Sequence, residues 1–231
     1  MMGSGRGSAA TRRERTVDEP PEWLGRVRPA LEANLPDWFA EFVPPPHPRR
    51  RSAVLMTFAE GDDGSDVILT ERASTLRSHA AQVSFPGGHV EPEDDGAVAA
   101  ALREAQEEVG LDPASVEIVD ELPPLFMHPS QNAVTPVLAW WRAPHPIGVV
   151  DSGEVARVVR ADVDELLDPA NRFTVRLDTY SGPGFEVDGL FVWGFTATLL
   201  SHVFELGGIA RPWDTSRQRP LPHRLLRTYR R

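Results

Sequence analysis

The 231-residue chain contains no cysteine, which excludes disulfides, thiolate-bound zinc and thiol nucleophiles. It contains no lysine: all 24 basic residues are arginine. Schiff-base and lysine-base chemistry is therefore excluded. Any grip on phosphate must come from arginine, histidine, backbone N–H groups or a metal ion. No apolar run approaches the roughly 18 residues of a membrane helix, and the N-terminus lacks the apolar core of a secretory signal, so a cytoplasmic location is expected. Basic charge is in deficit, 24 against 34 acidic residues, and the net charge of −10 argues against a general nucleic-acid binder. The exception is local, because residues 211–231 hold seven arginines against Asp214 alone. Length and a 41% hydrophobic content suit one core with tails.

The densest chemistry lies in Gly87-Gly88-His89-Val90-Glu91-Pro92-Glu93-Asp94-Asp95, followed by a run carrying Arg103-Glu104-Ala105-Gln106-Glu107-Glu108-Val109-Gly110. Pro86-Gly87-Gly88 signals a turn, Asp94 or Asp95 is an N-cap candidate, and Gly110 a C-cap, which predicts a helix over 97–109. At about 100° per residue, Glu104, Glu107 and Glu108 share one face, while Val98, Leu102, Ala105 and Val109 gather on another. Like charges three and four residues apart repel by a few tenths of a kcal/mol per pair unless a cation lies between them. Carboxylate oxygens suit a hard cation such as Mg²⁺ or Mn²⁺. A bare acidic stripe, by contrast, is usually a solvated face.

The whole constellation resembles the Nudix box: Gly, five residues, Glu, seven residues, Arg-Glu, an aliphatic, any residue, Glu-Glu, any residue, Gly and an aliphatic. Arg103-Glu104, Glu107-Glu108 and Gly110-Leu111 match it. Asp94 stands in the first Glu slot, eight residues separate it from Arg103, and Ala105 fills the aliphatic slot. Upstream, Ile68-Leu69-Thr70-Glu71-Arg72-Ala73, Arg77 and Phe85-Pro86-Gly87-Gly88 resemble the extra signature of the coenzyme A-cleaving branch, with Ala81 where that signature has Gly. A Trp-Gly-x-Thr-Ala segment, here Trp193 to Ala197, is also typical of the branch.

The resemblance implies a Nudix α/β/α sandwich, an α/β fold with a central mixed sheet and the loop-helix-loop of the box. It implies Mg²⁺ or Mn²⁺ held by Glu104, Glu107 and Glu108, with a loop carbonyl such as that of Gly88 as a further ligand. Arg103 is expected to orient a box carboxylate. Arg72 and Arg77, with the Gly87-Gly88 backbone, are expected to face the substrate phosphates; ordinary surface arginines are the alternative. Glu154, in the loop Asp151-Ser152-Gly153-Glu154, is a candidate to orient or deprotonate water, against the plainer reading of a solvated loop carboxylate.

The implied reaction is hydrolysis of the diphosphate of coenzyme A or an acyl derivative to adenosine 3′,5′-bisphosphate and a 4′-phosphopantetheine product. A Nudix hydrolase of ADP-ribose, dinucleotides or oxidised nucleotides is one alternative. A non-catalytic nucleotide-binding Nudix module is the other. Neither nucleic acid nor membrane is an expected partner, and a homodimer is left open.

The remaining chain divides into a tail at 1–20, a helical extension and Pro-rich linker at 21–48, the catalytic domain at 49–208 and an Arg-rich tail at 209–231. In the extension, Pro29 and Pro36 are expected to interrupt helical spacing. Strands are expected at 53–59, 67–70, 116–122 and 134–141, with Pro136 marking a bulge or edge. A strand through Val159 and a short helix at 163–167 follow, then a hairpin with Ser181-Gly182-Pro183-Gly184 between its strands, and a long apolar helix over 190–206.

Overall fold

The computed structural model describes residues 19–61, 64–76, 79–178 and 180–229. In chain order the elements are α1 (Glu22–Ala33), α2 (Asp37–Glu41), β1 (Arg50–Gly61), β2 (Gly64–Arg72), β3 (Val83–Ser84), β4 (Gly87–His89) and α3 (Gly96–Val109). Then come β5 (Val116–Glu121), β6 (Leu125–Met127), β7 (Asn132–Trp141), β8 (Val155–Asp162), α4 (Val163–Leu167), β9 (Arg172–Leu177), β10 (Tyr180–Val187), β11 (Leu190–Val192), α5 (Gly194–Leu206), β12 (Gln218–Pro220) and α6 (His223–Tyr229).

Strand alternation decides which side chains meet which layer. Along β1, Ala53, Leu55 and Ala59 join the cluster under α3, whereas Met56 and Phe58 join the cluster on the opposite face. Both faces of the strand are covered, so it reads as an apolar run rather than an alternating one. On the second face α1 and α5 close over the sheet, where the Trp23 ring meets Phe58 edge-on at 5.0 Å and Phe204 at 6.2 Å. The result is the expected α/β/α sandwich. Its main sheet is mixed: β1 pairs β7 in parallel, and β2, β4, β5, β6 and β8 join antiparallel.

A second sheet, in the order β11-β10-β9-β12, lies beyond it. It was legible only as one hairpin, and even there the turn lies elsewhere than expected. Residues 181–184 belong to β10, paired with Arg176 back to Phe173, and the chain reverses beyond Asp178, whose φ is +50°. Glycine serves packing here, since a Cβ at Gly184 would come within 2.4 Å of the Phe173 ring.

The apolar run 190–206 is likewise divided into β11 and α5, because Trp193 is extended and Gly194 takes φ +63° before the helix begins. Pro29 sits inside α1, so the break in the extension falls near Pro36, which caps α2. Pro136 stands in the interior strand β7 without forcing an edge. The antiparallel ladder to β5 ends at Glu121 opposite Val137, and that to β6 starts at Leu125 opposite Val134. Its missing N–H falls in the gap between those ladders, where its carbonyl accepts from Leu122 N–H (2.9 Å).

From the segment 209–231, β12 pairs with β9 in parallel, and Leu221 and Leu225 are buried with Phe173 and Phe191. Among the described residues no helix is long and apolar enough to cross a membrane.

Candidate active site

Helix α3 is positioned by its small side chains. Ala97, Ala100, Ala101, Ala105 and Val109 press against Ala53, Leu55, Val137 and Ala139. Ala105, in a slot where a larger aliphatic was the pattern, thus joins an alanine-lined contact that lets helix and sheet approach closely. Gly110 closes the helix at φ +73°. At the other end, of the two N-cap candidates Asp95 holds the position, without a side-chain bond, and Asp94 serves a different purpose.

Arg103 gathers the loop and the helix around itself. Its Nε and Nη2 donate to the two oxygens of Asp94 (3.0 and 2.9 Å), and Nη2 also donates to the His89 carbonyl (2.9 Å). Its Nη1 donates to Glu104 (3.2 Å) and Glu107 (3.1 Å). The hydrogen bonds from Arg103 hold the Asp94 carboxyl below its usual range. Asp94 therefore fastens loop to helix through a two-pronged guanidinium bond, which needs a carboxylate but tolerates the shorter Asp.

Glu108 is the most deeply set of the three glutamates, only 3% exposed. Its Oε2 accepts from Gly87 N–H (3.1 Å), and its Oε1 lies 3.8 Å from Arg72 Nη1. Burial pushes its carboxyl up to about 7, opposed by the Gly87 N–H and Arg72 and reinforced by the charges of Glu104 and Glu154. Glu104 is also raised, chiefly by burial and against the pull of Arg103.

The double glycine lets the loop lie this close. A Cβ at Gly87 would come within 2.3 Å of the Ala53 carbonyl, and one at Gly88 within 2.2 Å of the Glu104 carboxylate.

Glu104, Glu107, Glu108, Asp151 and Glu154 together line a cavity of about 240 Å³. Glu154 is thus brought beside the box glutamates from a loop some fifty residues away in sequence. Val150 N–H bonds the Glu108 carbonyl and Gly148 N–H that of Val109, both at 3.1 Å, so the loop satisfies carbonyls left open at the end of α3. Asp151 was not among the residues singled out from sequence. Its Oδ1 accepts from Gly153 N–H (2.8 Å), an Asx turn that the Asp-Ser-Gly-Glu stretch could have signalled.

A cavity walled by five carboxylates fits a hard divalent cation by donor chemistry. Among the described residues no three such side chains stand ready to hold a metal as they are. Arg103 bridges Glu104 and Glu107, engaging one oxygen of each.

Behind the Gly87-Gly88 turn opens a second, larger cavity of about 530 Å³, whose lining includes Arg72, Gln82, Asn132, Tyr180, Trp193 and Phe195. Arg72 and the two glycines separate it from the carboxylates. Arg77, expected to face the substrate, lies outside the described residues. The intervening loop is tied by Ala81 N–H to the Arg72 carbonyl (3.1 Å) and by Arg72 N–H to that of Gln82 (2.9 Å). Ala81 has φ +57°, the left-handed conformation that glycine adopts freely. The loop thus keeps a glycine-type geometry with alanine in place.

Comparison with known proteins points to one family. A family model described as the NUDIX domain matches residues 48–178. "Nudix hydrolase 15, mitochondrial" of Arabidopsis thaliana is 35% identical over 162 residues, 65% of this chain and 56% of that protein. A "probable nudix hydrolase" of Schizosaccharomyces pombe is 32% identical over 161 residues, 68% of this chain and again 56% of the relative, so the chain spans little more than half the length of these two. The "uncharacterized Nudix hydrolase NudL" of Salmonella newport is 35% identical over 161 residues, covering 66% of this chain and 80% of NudL. Among solved structures, "a Nudix Hydrolase from M. Smegmatis, RenU" superposes with a TM-score of 0.51 at 16% identity, over 72% of this chain and 90% of that one. That likeness concerns the fold.

Proposed function

The chain belongs to the Nudix hydrolase family, and on that premise we propose that it hydrolyses the diphosphate of a nucleotide derivative, with coenzyme A or an acyl-coenzyme A as the favoured substrate. The observation that carries the reading is the juxtaposition of the five-carboxylate cavity with a larger, mostly uncharged one, with Arg72 at their boundary. In this reading a diphosphate lies at the boundary and the rest of the substrate lies behind it.

Glu104, Glu107 and Glu108 would hold Mg²⁺ or Mn²⁺, joined by the loop carbonyl of Gly88. A bound divalent ion neutralises diphosphate oxygens and acidifies a water molecule. The chain's own groups do the remaining work. Arg72, now 3.8 Å from Glu108, donates N–H groups to a phosphate oxygen. Glu154, or its neighbour Asp151, takes the proton of the water that attacks phosphorus; the phosphate leaving group departs in line. Arg103 acts at one remove, setting the orientation of Glu104 and Glu107 while Asp94 holds it in place. No protein nucleophile takes part.

The branch signature supports coenzyme A over other Nudix substrates, and the conformation of Ala81 supports the signature, since a glycine there would meet the same backbone demand. The test is product analysis after incubation with coenzyme A, ADP-ribose or an oxidised nucleoside triphosphate, each with Mg²⁺ or Mn²⁺ and with chelator. Metal-dependent release of adenosine 3′,5′-bisphosphate from coenzyme A is expected. Cleavage confined to the other compounds would overturn the substrate assignment. Binding without cleavage of any of them would establish a nucleotide-binding module instead.

A further inference from the structure

Among the described residues the larger cavity has one wall residue with a permanent charge, Arg72, at its carboxylate end. Elsewhere Val54, Val83, Met127, Val134, Trp193 and Phe195 make it apolar. Trp193 and Phe195 come from the junction of β11 and α5, beyond the 48–178 stretch that the family model matches.

One polar group on this wall is not accounted for by the fold. Asn132 begins β7, and its Nδ2 donates to Ser52 Oγ (3.0 Å), which in turn lies 3.1 Å from His89 Nδ1. With Ser52 O–H donated to His89, the amide is held with its nitrogen toward Ser52 and its oxygen away. That oxygen, Asn132 Oδ1, is shielded from solvent and accepts no hydrogen bond among the described residues. A sheltered acceptor without a donor is costly, and a turn of the Asn132 amide toward the cavity would let a ligand supply that donor.

Resting on the diphosphatase reading above, we propose that Asn132 is a specificity-determining residue. It accepts an N–H from the part of the substrate that enters this cavity and selects groups that combine apolar surface with an N–H donor. Two parts of a coenzyme A-like molecule carry that donor chemistry, an amide of the pantetheine chain and the exocyclic amino group of adenine. A bare sugar can donate an O–H to the acceptor but leaves the apolar wall uncovered.

The experiment compares kcat/KM for coenzyme A, an analogue with methylated pantetheine amide nitrogens, and an analogue with hypoxanthine in place of adenine, all with Mn²⁺. The wild type is expected to lose about 10- to 100-fold on the analogue lacking the recognised donor, mainly through KM. Which analogue suffers identifies the source. Asn132→Ala should bring coenzyme A down to the level of that analogue and abolish the difference between them. Asn132→Leu removes the acceptor while keeping the volume, should the alanine variant not fold. Asn132→Asp keeps an acceptor and should keep the discrimination even where added charge lowers all rates. Equal wild-type rates on all three compounds would overturn the proposal, as would full discrimination by a folded Asn132→Ala or Asn132→Leu. No hydrolysis of coenzyme A by the wild type would overturn the diphosphatase reading and this inference with it, an outcome distinct from the other two.

Discussion

The two cavities on either side of Gly87-Gly88 are built by opposite means. The smaller one crowds five carboxylates together, tolerating repulsion and the burial of Glu108. The larger is mostly apolar, with sheltered polar groups such as Asn132 on its wall. Three of the five carboxylates come from two turns of one helix, whereas the larger wall draws on β1, β3, β7, β10 and the start of α5. Charge crowding is affordable where a cation can relieve it, and helical spacing is enough to produce it. A shaped apolar wall needs distant segments brought into register. On this contrast, variants of α3 should change turnover, and variants of the larger wall should change selectivity.

The hardest blow to the carboxylate side is Glu108→Gln. We expect kcat to fall by at least ~100-fold with KM little changed and the fold retained, as loss of a metal ligand implies. Steady-state kinetics with circular dichroism would check it, and unchanged turnover would remove the role given to Glu108.

Gly88→Ala strikes the boundary itself, since its Cβ would land 2.2 Å from the Glu104 carboxylate. Displacement of that carboxylate should lower turnover about tenfold, while stability, read from denaturant melts, falls by no more than about 1 kcal/mol because the clash is with the movable end of a side chain. If both quantities stay at wild-type levels, the close approach at this glycine is not needed.

The buried carboxylate also predicts a pH signature in metal-free protein. The folded state raises the Glu108 carboxyl to about 7, above its ordinary value of 4.5, so folding favours the protonated form. Its stabilising contribution is full below about pH 4.5 and is lost as pH rises through 7, a change on the order of 3 kcal/mol. Melting in the presence of chelator should show this decline, Glu108→Gln should flatten it, and Mn²⁺ should oppose it by binding the ionised form. A chelated protein whose stability is level from pH 4.5 to 7.5 would mean that Glu108 is well solvated.

The smallest effect belongs to the loop behind the larger cavity. Ala81→Gly removes a left-handed alanine, and we expect a gain of about 1 kcal/mol, less what the lost methyl contributes to packing. A lower melting temperature would show that the methyl contact with the second sheet outweighs the backbone strain.

Several features follow from local sequence alone. The limits of α3, the shared face of Glu104, Glu107 and Glu108, the β1–β2 hairpin and the loop position of Glu154 all rest on spacing within short segments. Misreadings arose where tertiary partners overrode local signals. Ser181 to Gly184 carry turn residues yet lie within β10, because Phe173 packs where a side chain at Gly184 would be. Pro136 marks an edge by its missing N–H, yet β7 is interior because neither β5 nor β6 requires that donor.

What the sequence by itself determined is the arrangement of the box, since a helix converts residue spacing directly into a shared face. The tertiary structure alone decided the depth of Glu108, the arrival of Asp151 beside it, and the meeting of Asn132 with Trp193 across one cavity. Those depend on strand register and on how sheets and helices stack, and a shift of one residue in a strand turns every side chain to the other face.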